Sequence, residues 1–476
     1  MAQQVTATVR MYRLNELGDC FLVTFAAGTS KTRMLIDCGS FRNGAPSIAR
    51  LSTIVGSIKS ELAGATLDIV VGTHQHNDHV SGFVHCEDAF REIGVEQVWL
   101  SWLDDPNDAM ARAIGKEHNN LTLRLAAARD SLDAALKRPG GARPVATRTL
   151  EVMNDVLGFF GAKDAKTPPV LPANAVKILK DLGSTKPLYL RPGRSFDLPG
   201  LPAGTVRVHV LGPPRDNDLL YRKDPRTGES YDHALASAGV MATKFLDAAS
   251  RNDAPQSRDD EHYPFNQQYK NADPSAGSAK LHAIAERYRK QDDAWRTIDD
   301  DWMQQGEMLA LYLDTFTNNS SLVLAIELVK SGKVLLFVAD AQTGNWLSWK
   351  DVQWQQDGVT TDDLLARTVF YKVGHHASHN ATLVALFEKV THPDLVAFVP
   401  VHKKDPNITK KTGGWKMPAT NLFKRLVEKT DHRVLQMDDL NPPDCDPTAE
   451  PAKAAWTRAG LEPRISAMTV EVDIGD

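Results

Sequence analysis

Only four cysteines occur in the 476 residues, at 20, 38, 86 and 445, with no CxxC pair and no disulfide-framework spacing. That argues against a disulfide-built scaffold and for a reducing compartment. Cys86 follows His85, where a packed free thiol is the expected state. No apolar run approaches the roughly 20 residues that a membrane span needs. Nor does a basic segment followed by an apolar core open the chain. A cytoplasmic protein without a membrane partner is therefore expected. Internal repeats and low-complexity tracts are also missing. The net charge of −5 gives no global push towards nucleic acid.

Residues 73–79 read Thr-His-Gln-His-Asn-Asp-His, which places four good metal-binding side chains, His74, His76, Asp78 and His79, within six positions. The apolar run Leu67–Val71 leads into them and reads as a buried strand. Alternate positions of an extended segment point the same way, so His74 and His76 can converge on one ion. Where the chain turns into a helix, Asp78 and His79 are redirected towards a second ion. Two ions roughly 3.5–4 Å apart activate a water and stabilise a leaving oxygen.

The spacing His-x-His-x-Asp-His resembles the signature of the metallo-β-lactamase fold. Met34-Leu-Ile-Asp-Cys-Gly-Ser40 looks like that family's first motif, which implies that Asp37 supports the histidine loop from behind the ligands. The apolar strand Lys333–Ala339 ends at Asp340, which the resemblance makes a bridge between both metals. Val369–Gly374 leads into His375-His376-Ala-Ser-His379. Leu17-Gly-Asp-Cys20, Asn318-Asn-Ser-Ser-Leu-Val-Leu324 and Gly374-His-His-Ala-Ser378 narrow the likeness. Together they resemble the soluble hydrolase domain of competence DNA-uptake proteins, the ComEC-like branch, with Ala377 in place of a glycine. The likeness covers roughly residues 8–100, 200–215 and 315–440. The membrane-channel part of those proteins has no counterpart here.

The implied fold class is α/β: one αββα sandwich, two mixed β-sheets flanked by helices. Its core would span about 8–104, 196–215 and 313–476. Two blocks, about 105–195 and 216–312, read as helical insertions that wall the site. The first carries helix-like Leu121–Leu136 and Leu150–Phe160 around a Pro/Gly/Arg stretch at 138–144; the second ends in a charged run from Ala279 to Leu311.

The implied metal ligands are His74, His76, Asp78, His79, Asp340 and His376, holding two divalent ions, Zn or Mn. Most of the fold supplies one more histidine after the strand Val206–Leu211, where this chain reads Gly212-Pro-Pro214. His209 reads as a packed strand residue, and His233 and His262 lie in an insertion from which either could swing in. One site is therefore expected to be open, which suits Mn²⁺ as readily as Zn²⁺. Related nucleases carry His-x-Ser at this strand end, aligning with His376-Ala-Ser378. His376 is then the ligand and Ser378 its support. His375 is left to donate a proton or bind a phosphate, and the reverse assignment stands as the alternative. His379 reads as a surface histidine.

One local feature favours nucleic acid. Residues 402–416 carry Lys403, Lys404, Lys410, Lys411 and Lys416, with Trp415, on a Gly-rich loop after the apolar strand Leu395–Val401. Lysines can track phosphates while an aromatic stacks on a base; a plain solvated loop is the other reading. The expected activity is a dinuclear metallohydrolase in which a metal-bridging hydroxide attacks and Asp78 helps to position the water. A phosphodiester, nucleic acid or a small phosphoester, is the favoured substrate. A small-molecule lactam, lactone, thioester or phosphoester hydrolase is the alternative, and a catalytically silent binding component the third. An open lysine-lined groove would favour the first, a narrow pocket walled by the insertions the second. Oligomeric state leaves no trace in the sequence.

Overall fold

The computed structural model describes residues 4–137, 144–160, 170–222, 301–356, 358–410, 414–438 and 441–476, with 283, 286 and 287 between them. His233, His262, Lys411, nearly all of the 138–144 stretch and most of the charged run from Ala279 lie outside these residues.

Alternating or continuous apolar runs give fifteen strands among the described residues. The first six are β1 (Val5–Tyr12), β2 (Cys20–Ala27), β3 (Ser30–Cys38), β4 (Leu67–Gly72), β5 (Val95–Ser101) and β6 (Leu188–Leu190). Next come β7 (Ser195–Asp197), β8 (Val206–Gly212), β9 (Val323–Leu328), β10 (Lys333–Phe337), β11 (Thr368–Lys372), β12 (Val396–Val399) and β13 (Val434–Gln436). β14 (Arg464–Ile465) and β15 (Thr469–Gly475) close the chain. They form an eight-stranded sheet, β14-β15-β1-β2-β3-β4-β5-β6, and a seven-stranded sheet, β13-β12-β11-β10-β9-β8-β7. Both are mixed: β3 to β6 and β10 to β13 run parallel, whereas the hairpins β1-β2-β3 and β8-β9-β10 are antiparallel.

The pleat explains the layering. Leu335 and Phe337 of β10, with Val396 and Phe398 of β12, belong to one buried cluster, together with Phe21 and Val23 of the first sheet. Their neighbours Val334, Leu336, Ala397 and Val399 belong to a second cluster with Leu422 and Leu426 of the helix Thr420–Lys429. A strand buried on both faces behaves this way, because successive side chains point to opposite sides. Phe21 and Phe337 meet edge to face at 6.1 Å between the sheets. On the first sheet lies α1 (Ala45–Leu62), which begins with a proline in its first turn and ends at a left-handed Ala63. It buries Leu51, Ile54, Val55, Ile58 and Leu62, an i, i+3, i+4 stripe. The result is an α/β protein of two mixed sheets flanked by helices.

Among the described residues the helices between α1 and β9 are α2 (Asn77–His85), α3 (Glu87–Ile93), α4 (Ala109–Leu136), α5 (Pro144–Phe159), α6 (Val170–Leu182), α7 (Asn217–Leu220) and α8 (Asp301–Asn319). Parts of both insertion blocks pack as one unit: Leu121, Leu125 and Leu132 of α4, Met153 and Leu157 of α5, and Leu309 and Leu313 of α8 share a buried cluster. Two boundaries differ from the sequence reading. β6 pairs with β5 and β7 with β8, so residues 188–190 and 195 belong to the sheets and not to an insertion. α8 runs unbroken through 312/313, delivering the Asn318–Ser321 turn directly to β9. Among the described residues no helix is long and apolar enough to cross a membrane.

The topology gathers chemistry on one rim. β3, β4, β10 and β11 end there, at Asp37, Thr73, Asp340 and His375 respectively. β2 starts there, because Cys20 pairs with Cys38. Leu322 N donates to Thr73 O at 2.9 Å and ties the two sheets together at that rim.

Candidate metal centre

After β4 the chain bends at His74 and Gln75, His76 is in extended backbone, and α2 begins immediately after it. Asp78 and His79 therefore occupy the first helical turn, where a carboxylate also complements the helix dipole. All four are buried, as are Asp19, Asp37, Asp340, His375 and His376. Gly39 allows this close approach: a β-carbon there would lie 2.4 Å from His79 N.

Each imidazole is oriented from behind. Thr73 Oγ1 donates to Asp37 Oδ2 at 2.7 Å, so His74 Nδ1, 3.1 Å away, donates to that hydroxyl oxygen. His79 Nδ1 donates to Asp37 Oδ2 at 2.7 Å, and His376 Nδ1 to Pro400 O at 2.6 Å. The Nε2 atoms of these three rings are thereby directed into the site, the orientation a metal-binding histidine needs. Asp37, which also accepts from Thr73 N at 2.9 Å, does this for two of them.

Asp19, His79, Asp340 and His376 form a buried cluster that could hold a metal ion. The donors face it unevenly. His376 Nε2 lies 3.0 Å from Asp78 Oδ2 and 3.7 Å from Asp340 Oδ2. His79 Nε2 lies 3.2 Å from Asp340 Oδ2 and 3.7 Å from Asp78 Oδ2. These separations bracket the roughly 3.4 Å between ligands around a tetrahedral ion with bonds of about 2.1 Å. Asp19 sits on the opposite, Nδ1 side of both rings, at 3.8 and 3.9 Å, where those nitrogens are already committed. Asp78 is thus the better fourth donor and Asp19 a charge behind the rings. His74 Nε2, His76 Nε2, His79 Nε2 and Asp78 Oδ1 are buried and have no hydrogen-bond partner among the described residues. Unsatisfied buried polar atoms are rare in folded proteins, and metal ions at this rim would satisfy the three rings, leaving Asp78 Oδ1 for a bound water.

The electrostatics mark a site of concentrated negative charge, where a proton on His79 takes the place a cation would fill. Burial opposes charge on His79, but the carboxylates of Asp340, Asp19, Asp78 and Asp37 outweigh it and hold its pKa well above the usual range. Burial likewise opposes ionisation of Asp340, and His79, Lys372 and His376 outweigh it, holding the carboxyl well below its usual value. Burial pushes His76 down to about 3, leaving a neutral ring able to act as a ligand.

His375 stands apart. Burial lowers its pKa to about 4. Gln342 Nε2 donates to its Nδ1 at 3.2 Å. The turn that carries it is strained, with His375, His376 and Ala377 all left-handed at φ 43°, 50° and 62°. Ser378 is buried and closes this turn through its N–H to His375 O at 2.8 Å. His375 lines a cavity of about 290 Å³, bounded by Phe159 of α5, Leu311 and Asp314 of α8, and Trp415, Lys416 and Met417. His379, read from the sequence as a surface histidine, is half-buried and lies in that wall too. On the other side of the histidine loop a chamber of about 100 Å³ is lined by His74, Gln75, Asp104 and His118.

The remaining candidates divide. His209 is fully buried between Ser195 Oγ at 2.8 Å and Glu327 Oε2 at 3.0 Å, away from the rim. The lysine loop is pinned by Arg42, which donates two bonds to Asp405, at 2.6 and 2.8 Å. Its Trp415 packs on Phe159 (5.5 Å, stacked) and Phe41 (5.5 Å, edge to face), so this aromatic builds the cavity wall instead of waiting for a base. Lys403 N donates to Asp438, and Lys410 Nζ lies 3.5 Å from Asp155, a weak contact. Lys404 and Lys410 are exposed. Sequence reasoning missed Lys372, Asp19 as a participant, Gln342, and Phe159 and Phe160, whose rings lie 5.0 and 5.3 Å from His76. The signals available were a lysine inside the apolar run Val369–Val373 and, for Asp19, its place in the Leu17–Cys20 motif.

No protein-family model matches the chain, and no curated protein matches it.

Proposed function

We propose that this protein is a metal-dependent hydrolase of the metallo-β-lactamase type, acting on a phosphodiester whose reacting end enters a compact cavity. The observation that carries this reading is the set of buried, unpartnered histidine and aspartate atoms converging on one rim. Asp78, His79, Asp340 and His376 would hold one divalent ion, and His74 and His76 with Asp340 a second, Mn²⁺ or Zn²⁺. When bound, such ions polarise the scissile group and lower the pKa of a water.

The chain's own groups supply the rest. Asp78 Oδ1, left without a partner, can accept a hydrogen bond from the attacking water and orient it. With Gln342 donating to Nδ1, the neutral His375 ring offers Nε2–H to a substrate or leaving oxygen. Phe159, Trp415 and Met417 exclude bulk water, which strengthens every charge interaction inside. Lys416 lines the cavity and can attract an anionic substrate.

The cavity volume, at the lower end for ligand sites, admits a nucleotide-sized group and not a duplex. A narrow pocket walled by the insertion helices α5 and α8, with aromatic and aliphatic sides, favours a second reading, a neutral lactone, lactam or thioester on the same residues, whereas Lys416 in the same wall favours the anionic substrate. The test is a panel of single-stranded DNA, RNA, bis-p-nitrophenyl phosphate, a lactone and a β-lactam, assayed with Mn²⁺ and with Zn²⁺. Metal-dependent cleavage of a phosphodiester supports the first reading, exclusive turnover of a neutral substrate supports the second, and no turnover of any sinks both.

A further inference from the structure

Lys372 sits at the end of β11, in a stretch whose other residues are buried, and its own side chain is only 2 % exposed. An ammonium taken out of water must find acceptors, so what surrounds it is informative. Nζ donates to Ala339 O at 2.6 Å, to Asp340 Oδ1 at 3.2 Å and, in a closer contact, to Asp19 Oδ2. An ammonium has three N–H donors. All three are used, and none remains for a substrate.

The consequence falls on Asp340. Its Oδ1 takes Lys372 and also the backbone N–H of His375 at 3.1 Å. The carboxylate is held from two sides, which leaves Oδ2 turned to the Nε2 atoms of His79 and His376. Asp19 anchors the lysine from the far side and is itself fixed in the backbone: its N–H donates to Asp78 O at 2.9 Å and its C=O accepts from Gly39 N at 3.1 Å. Only glycine suits the residue before it, since a β-carbon on Gly18 would lie 2.2 Å from Gly39 O.

We infer that Lys372, anchored by Asp19, is a positioning residue: it fixes Asp340 with one oxygen committed and the other aimed at the imidazoles, and so presets the donor set for a divalent ion. The inference rests on the metal-dependent reading above. Pre-orienting a ligand before the ion arrives removes an ordering penalty from binding, as partners behind metal ligands generally do.

The test uses the full chain stripped with a chelator and titrated with Mn²⁺ alone, followed by calorimetry and by the Mn²⁺ electron paramagnetic resonance spectrum. Lys372→Met/Asp19→Asn removes both charges together, so neither is left buried and alone. This variant, folded by near-ultraviolet circular dichroism, should bind its first Mn²⁺ about 10–100-fold more weakly than wild type. Its spectrum should broaden as the ligand geometry disperses. Asp19→Asn alone should move affinity the same way by less. A folded double variant with wild-type affinity and spectrum overturns the role given to Lys372. If the double variant does not fold, unchanged affinity in Asp19→Asn has the same force. A wild type that takes up neither Mn²⁺ nor Zn²⁺ removes the metal reading itself, and the role of Lys372 with it.

Discussion

His376 Nε2 lies 3.0 Å from Asp78 Oδ2, a contact between residues 298 positions apart that joins the rims of the two sheets. His376 comes from the turn after β11 and Asp78 from the first turn of α2, so neither sheet alone can build the donor set. Metal binding would therefore be linked to the docking of the two sheets, because an ion shared across the rim would stabilise the folded state by mass action. Added Mn²⁺ or Zn²⁺ should raise the melting temperature of the stripped protein in a concentration-dependent way. An unchanged transition at saturating metal would count against the site.

The individual ligands should separate in elemental analysis. His76→Ala and Asp340→Ala each remove an atom that no other described residue is placed to supply, so metal content after reconstitution should fall sharply in both. Asp37→Asn should act more mildly: it leaves one acceptor oxygen, which can serve Thr73 N or the pair Thr73 Oγ1 and His79 Nδ1 but not all three, and should weaken metal affinity about 10–100-fold. Metal retained in full by the His74/His76/Asp340 triple alanine variant would rule the site out.

His375 and His376 should behave differently. His376→Ala should lose metal and activity together. His375→Ala should keep its metal, since its Nδ1 is held by Gln342 and its ring faces the cavity. With its pKa lowered to about 4 the ring is neutral at neutral pH and acts as a hydrogen-bond donor more than as an acid. A hydrogen bond to a charged oxygen is worth about 1.5–3 kcal/mol, so turnover should fall roughly 10–100-fold. Equal metal loss from both variants would mean that neither is a dedicated substrate contact.

The rim was legible because its residue types are concentrated. His74–His79 fall within six positions at the end of an apolar run, and Asp37 and Asp340 each terminate another, so local pattern was enough. Lys372 and Asp19 were quoted as parts of motifs, yet their pairing is a tertiary fact that no local period encodes. Trp415 illustrates the opposite failure. On a Gly-rich, lysine-rich loop it reads as an exposed stacking platform, but Arg42–Asp405 pins the loop and Phe159, from an insertion helix far away in sequence, claims the ring. The two-sheet layering was implied by the resemblance that the strand-end motifs carry, not by the strand pattern alone. The insertion boundaries did not, because β6 and β7 have three residues each, too few to show a period.

Away from the rim, Glu327 gives a pH signature. Burial raises its pKa, but hydrogen bonds from His209 and Arg367 outweigh that and hold it down to about 2. An unfolded glutamate titrates near about 4.3. A depressed folded pKa stabilises the fold above the unfolded value, and that stabilisation is lost as pH falls towards 2. Glu327→Gln should therefore be less stable than wild type by a constant margin above about pH 5, with the margin closing on acidification. Urea melts between pH 3 and 7 would show it, and a margin independent of pH would assign the effect to packing.

Lys416 decides between the two substrate classes. Among the described residues it is the lysine that lines the cavity, next to Trp415 in sequence and in the same wall set as His375. If a phosphodiester end enters there, the ammonium meets phosphate and displaces counterions. For a single strand each such contact contributes about 0.7 to the slope of log affinity against log salt. Lys416→Gln should flatten that slope by about one contact and raise the KM for single-stranded DNA. Turnover of a neutral lactone and metal content should stay unchanged, since the donor set is untouched. Adding Lys403, Lys404, Lys410 and Lys411→Gln should flatten the slope further for long strands but not for bis-p-nitrophenyl phosphate, which cannot reach beyond the cavity. If neither set of changes alters the salt dependence of binding or cleavage, the loop is solvated surface. The compact neutral substrate, held against Phe159 and Trp415, then becomes the better reading of this site.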